Sequence, residues 1–163
     1  KATFRNHLII GSEYLGKEYV SGAIIKDIRH ENVENLSFID NTLDLIVSND
    51  VFEHVPNPLK AFAECKRVLK SGAVMLTTIP FHSDSDISVT RVEMVNGHLK
   101  HILPPAYHGN PVSAAGSLVF TDFAWDILEC MHSAGFSDVC VEIYDSAEFG
   151  HPGGGQIVFR STK

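Results

Sequence analysis

Apolar and polar positions fall in blocks along the chain, and the blocks predict strands alternating with helices. The run HLIIGSEYL (7–15) is apolar in its first half and ends in polar residues and glycine, the pattern of a buried strand meeting a loop. GAIIKDI (22–28) predicts a weaker extended segment. LDLIVSND (43–50) is an almost continuous aliphatic run, which predicts a parallel strand covered on both faces. The clearest helix follows. Asn57 stands as N-cap before Pro58 at the first helical position, Lys66, Arg67 and Lys70 gather toward the far end, and Gly72 stops it. Leu59, Phe62, Ala63 and Leu69 supply its apolar stripe. AVMLTTIP (73–80) predicts another buried strand, so 43–80 reads as one strand, helix, strand unit with a right-handed parallel crossover.

Residues 81–118 lose this periodicity in a stretch rich in His, Pro and Gly, too long for an ordinary connection; it predicts an insertion or a lid over a substrate. TDFAWDILECMHSAG (121–135) predicts a second helix, capped by Thr121 and ended by Gly135. DVCVEIYD (138–145) and QIVFRS (156–161) alternate apolar with polar residues and are joined through GHPGGG, which predicts an antiparallel pair. With no repeat and no dividing linker, 1–163 reads as a single α/β domain.

Composition narrows the partners. Thirteen lysines and arginines against 20 acidic residues, a formal charge of −7, leave no basic footprint for nucleic acid or an anionic membrane. No run has the length to span a bilayer and no secretory leader pattern opens the sequence, so a soluble, cytoplasmic protein is expected. Cys65, Cys130 and Cys140 lack the close spacing of zinc or redox motifs and are expected to be reduced.

Chemistry concentrates after the third apolar run. In open parallel sheets ligands bind beyond the carboxyl ends of the strands, and Asn49, Asp50, Glu53 and His54 crowd that position. They read as the rim of a ligand cleft; polar residues that merely end a strand and precede a cap are the plainer alternative.

The segment NVENLSFIDNTLDLIVSNDVFEHVPNPLKAFAECKRVLKSGAVMLTTIPF (32–81) resembles the central region of class I S-adenosylmethionine-dependent methyltransferases, specifically the type 11 group. The resemblance implies a Rossmann-like methyltransferase fold: a mostly parallel sheet with an antiparallel C-terminal hairpin. It also implies S-adenosylmethionine as cofactor. Carried over by position, Glu13 would accept from the ribose hydroxyls, Asn32 would face the adenine amino group, and Val33 and Leu36 would flank the ring. Asn49 and Asp50 would lie near the methionine portion. The family's first strand, glycine-containing loop and first helix should precede HLIIGSEYL, where only a few residues stand. The resemblance therefore implies either a piece of a longer protein or a fold completed by a partner chain.

Competing motifs are weaker. GSEYLGKE (11–18) has most of a phosphate-binding loop, but Glu18 replaces the residue that would hold magnesium. His98 and His101 have H-x-x-H spacing, and His82, Asp84, Asp86 and His108 lie in the same stretch, yet two histidines on an irregular segment make no zinc site and no catalytic metal is expected. No G-x-S-x-G elbow supports hydrolase chemistry, and Trp125 reads as core. The expected function is methyl transfer to a small-molecule acceptor, with His54 as general base, His108 second, and Glu53, Tyr107 and Asn110 against the substrate. A homo-oligomer is left open. The rival is a non-catalytic scaffold with the same sheet.

Overall fold

The computed structural model describes residues 7–109 and 116–163. Asn110, expected against the substrate, lies outside the described residues.

A four-stranded sheet carries the fold. Its strands are β1 (Leu43–Asn49), β2 (Leu69–Thr78), β3 (Asp138–Ser146) and β4 (His151–Thr162), in spatial order β3-β4-β2-β1. β1 and β2 run parallel, with Ile46 opposite Met75 and Asn49 opposite Thr78. β4 lies antiparallel to both β2 and β3, pairing Phe159 with Thr77 and Val141. The expected C-terminal hairpin is present, but the sheet is mixed rather than mostly parallel, because that hairpin docks its second strand directly on β2. The 43–50 run is also not covered on both faces: β1 is an edge strand in this sheet, and Leu45 and Val47 are 40% and 61% exposed.

α1 (Pro58–Val68) starts where the sequence predicts, with the Asn57 carboxamide oxygen accepting from the Lys60 amide at 3.1 Å. It stops at Val68, four residues before Gly72. Leu69 has already paired with Leu43, and the extra residues up to Val74 form a bulge in which Gly72 takes a φ of +74°. The buried stripe is Ala61, Phe62, Cys65 and Val68; Leu59 and Ala63 face outward. Phe62 stacks on Phe52 at 4.2 Å, and with Met75, Ile127, Met131 and Phe159 they make the core between helices and sheet. α2 (Ile127–Ser133) begins five residues later than predicted, with Asp126 rather than Thr121 at the N-cap position. Thr121 and Asp122 instead pair with Thr90 and Val89, and the Asp126 carboxylate is taken by the Ser88 amide at 3.0 Å.

Two segments depart from their expected form. Residues 7–15 make no strand beyond a single Glu13–His30 bridge, and Leu8 and Ile9 are almost fully exposed. Apolar content alone does not make a strand where no neighbouring strand offers a ladder. The described residues of 81–118 include short pairs: Val92–Val95 with His98–His101, and Tyr107–His108 with Ser117–Leu118. The first pair turns at Asn96–Gly97, both at positive φ (51° and 78°), the conformation an Asn-Gly hairpin turn requires. Among the described residues no helix is long and apolar enough to cross a membrane.

Candidate functional site

The end of β1 is the chemical centre. The Asp50 amide bonds to the Thr78 carbonyl at 3.0 Å and its carboxylate accepts from the Thr78 hydroxyl at 3.1 Å, so the chain leaves the sheet beside β2. A single 3-10 turn, Phe52–His54, follows. Phe52 is fully buried against Phe62, and this anchor drags the adjacent Glu53 inside: its side chain is 1% exposed.

Glu53 meets two imidazoles. Its Oε1 lies 3.5 Å from Nε2 of His54 and 3.3 Å from Nδ1 of His108, and the two rings meet edge-on at 5.2 Å. His108 arrives from 54 positions beyond His54 because the Tyr107–His108 and Ser117–Leu118 pair is tied down on the 3-10 turn. The Phe120 amide donates to the Glu53 carbonyl at 2.7 Å, and Nδ1 of His54 donates to the Leu118 carbonyl at 2.8 Å. Gly116 makes this closure possible: it sits at φ +76°, and a Cβ there would lie 2.6 Å from the His108 carbonyl oxygen. Since a carbonyl oxygen only accepts, His54 carries its hydrogen on Nδ1, and Nε2 of the neutral ring bears a lone pair. Burial pushes the Glu53 carboxyl above the ordinary carboxylate range. Its Oε2 is buried without a partner among the described residues. Tyr107, the neighbour of His108, is largely exposed.

The remaining expected residues are spread along the adjoining loops. Glu13 is exposed and held only through its backbone, donating to Arg29 and accepting from Glu31. His30 anchors this stretch, lying between the Tyr14 and Tyr19 rings and accepting from the Leu15 amide. Asn32 is a turn former: its carboxamide oxygen accepts from the Glu34 amide at 2.9 Å. Val33 and Leu36 pack against the core, and Asn49 and Asp50 are exposed at the strand end. The loop from Leu36 to Asp40 is clamped to α1 by Arg67, which donates to the Leu36 and Phe38 carbonyls. A cleft of about 590 Å³ opens between this region and the 92–95 strand, lined among others by Tyr14, Glu34, Asn57 and Met94. None of Glu13, Asn32, Asn49 and Asp50 lines it.

Residues 12–77, which take in the loops that precede β1, β1 itself, the 3-10 turn, α1 and most of β2, match the model of a family described as a methyltransferase domain. Over 54 residues the chain is 39% identical to a protein of Mycolicibacterium smegmatis described as a probable S-adenosylmethionine-dependent methyltransferase. Over these residues the chain resembles the class I S-adenosylmethionine-dependent methyltransferases. S-adenosylmethionine is the cofactor of this family. The aligned part is 33% of this chain and 21% of the M. smegmatis protein. Two solved methyltransferases resemble it over more of its length. One from Methanosarcina mazei has 16% identity and a TM-score of 0.49, covering 84% of this chain and 66% of that one. One from Thermotoga maritima has 18% identity and a TM-score of 0.48, covering 83% and 63%.

The sequence named Glu53, His54 and His108 separately. That they share one oxygen depended on the pairing of Tyr107–His108 with Ser117–Leu118, for which the sequence offers no turn signal as plain as the Asn-Gly at 96–97.

Proposed function

We propose that this chain takes part in S-adenosylmethionine-dependent methyl transfer to a small-molecule acceptor, with the acceptor's nucleophilic atom meeting the Glu53, His54 and His108 cluster. One observation carries the reading: three polar side chains, one of them buried, converge beside the carboxyl end of a parallel strand, the position at which ligands of such sheets bind.

The residues present fit the methyl donor at its polar ends. The Glu13 carboxylate is exposed, and no hydrogen bond or ion pair engages it among the described residues, so it can take two hydroxyl donors at once. Asn49 and Asp50 offer an amide and a carboxylate at the strand end nearest the cluster, and Val33 offers an apolar edge beside Asn32. The donor supplies a methyl group already activated on a sulfonium. In-line displacement then asks the protein to orient the partners, exclude water and prepare the acceptor's lone pair. Preparation of that lone pair falls to the cluster, and Tyr107, the neighbour of His108, stands on the acceptor side.

Calorimetric titration of the chain with S-adenosylhomocysteine tests the donor side. Micromolar binding that weakens at least tenfold in Glu13→Ala is expected; no heat up to millimolar ligand overturns the reading.

A further inference from the structure

We infer that Glu53, His54 and His108 hold a divalent transition-metal ion of the Zn2+ type, with its remaining positions open to water or to an acceptor oxygen. The inference rests on the proposed function only for what fills those open positions.

One ligand atom from each of the three residues lies within 4.8 Å of the other two. Two of the separations are specific: 3.5 Å from Glu53 Oε1 to His54 Nε2, and 3.3 Å from the same oxygen to His108 Nδ1. Imidazole nitrogens and carboxylate oxygens about 2.05 Å from a tetrahedral Zn2+ stand about 3.3 Å from one another, which both carboxylate–imidazole separations match; the two imidazole nitrogens, within 4.8 Å of each other, draw together to complete the set.

Lone pairs make the same point. Nδ1 of His54 commits its hydrogen to the Leu118 carbonyl, which in the neutral ring turns the lone pair of Nε2 toward a carboxylate oxygen. Two acceptors facing each other repel unless something positive lies between them. The backbone carbonyl holding the far nitrogen is also the usual outer support of a metal-bound histidine, fixing tautomer and ring plane. Independently, Glu53 Oε2 is buried with no partner among the described residues, and a buried orphaned carboxylate oxygen calls for a cation or a donor. A proton between Oε1 and Nε2 would leave Oε2 orphaned; a cation drawing on the whole carboxylate serves both oxygens.

Two imidazoles and one carboxylate suit Zn2+ and its neighbours better than Mg2+ or Ca2+, which prefer all-oxygen sets. Side-chain exposure rises from 1% at Glu53 through 19% at His54 to 42% at His108. The open positions therefore face solvent on the His108 side. His54 then holds a cation, and the ion rather than the imidazole lowers the proton affinity of a bound acceptor.

The test is titration of the full 163-residue chain with ZnCl2 by calorimetry and with Co2+ by visible absorption. One equivalent of tightly bound metal is expected, weakened at least tenfold in Glu53→Gln and in His108→Ala; the second change removes a half-exposed ring and spares the core. Zn2+ binding unaltered in His98→Ala/His101→Ala is the expected control. No stoichiometric binding, binding that survives His108→Ala, or binding by Mg2+ but not Zn2+ overturns the inference. S-adenosylhomocysteine titrated into the same samples without metal separates the two readings. Retained nucleoside heat with no metal binding removes the cation alone, and metal binding with no nucleoside heat removes the methyl-transfer reading alone.

Discussion

Replacing Arg67 with methionine should cost about 2–3 kcal/mol, because one guanidinium holds the 36–40 loop on α1. It donates to the Leu36 and Phe38 carbonyls, each at 2.9 Å, and to both oxygens of Glu64 at 2.7 and 2.9 Å. Glu64 in turn accepts from the Leu36 amide at 2.9 Å, closing the clamp from the helix side. The bond to Asp40 is discounted to near zero, since that carboxylate is 62% exposed and screened by water. The two carbonyl bonds contribute about 1 kcal/mol each, and the forked pair with Glu64, with Arg67 30% exposed, adds about 1 kcal/mol or less. Methionine retains most of the aliphatic stem, so packing changes little. The pH dependence has a defined sign. Arg67 holds the Glu64 carboxyl below the ordinary carboxylate range, so this contribution is complete above about pH 4.3 and is lost as pH falls through the lower folded value. Urea unfolding of both proteins near neutral pH and at about pH 3 should show the gap narrowing on acidification. A neutral-pH difference under about 0.5 kcal/mol, or a gap that widens in acid, refutes the clamp.

Phe62→Ala removes a fully buried ring stacked at 4.2 Å on Phe52 and should cost about 3–5 kcal/mol in a thermal or urea melt. A loss under about 1 kcal/mol would mean that the core collapses around the cavity. Burial pushes the Cys65 thiol up to about 12, so under native conditions iodoacetamide should leave it unmodified and label it only after denaturation. Modification of native Cys65 at the rate of a free thiol, read by mass spectrometry, would contradict its placement in the core.

What the sequence determined by itself was local. The Asn57–Pro58 start of α1 needs only a side-chain oxygen three residues from an amide and a preset φ. The parallel pair Leu43–Asn49 and Leu69–Thr78 and the C-terminal hairpin follow from runs of aliphatic or alternating residues bounded by turns. The Asn96–Gly97 turn was equally local and went unread because histidine and proline dominate the composition around it. Tertiary structure decided the rest, since burial and pairing are properties of neighbours. HLIIGSEYL is as apolar as a strand, yet it meets no ladder and stays exposed. Thr121 can cap a helix, but its pairing with Thr90 competes and α2 starts after Asp126. Glu53 and His54 are adjacent in any conformation. His108 joins them only because the Phe120 amide and the Leu118 carbonyl fasten a distant strand pair to a three-residue turn, a long-range contact that no spacing along the chain encodes.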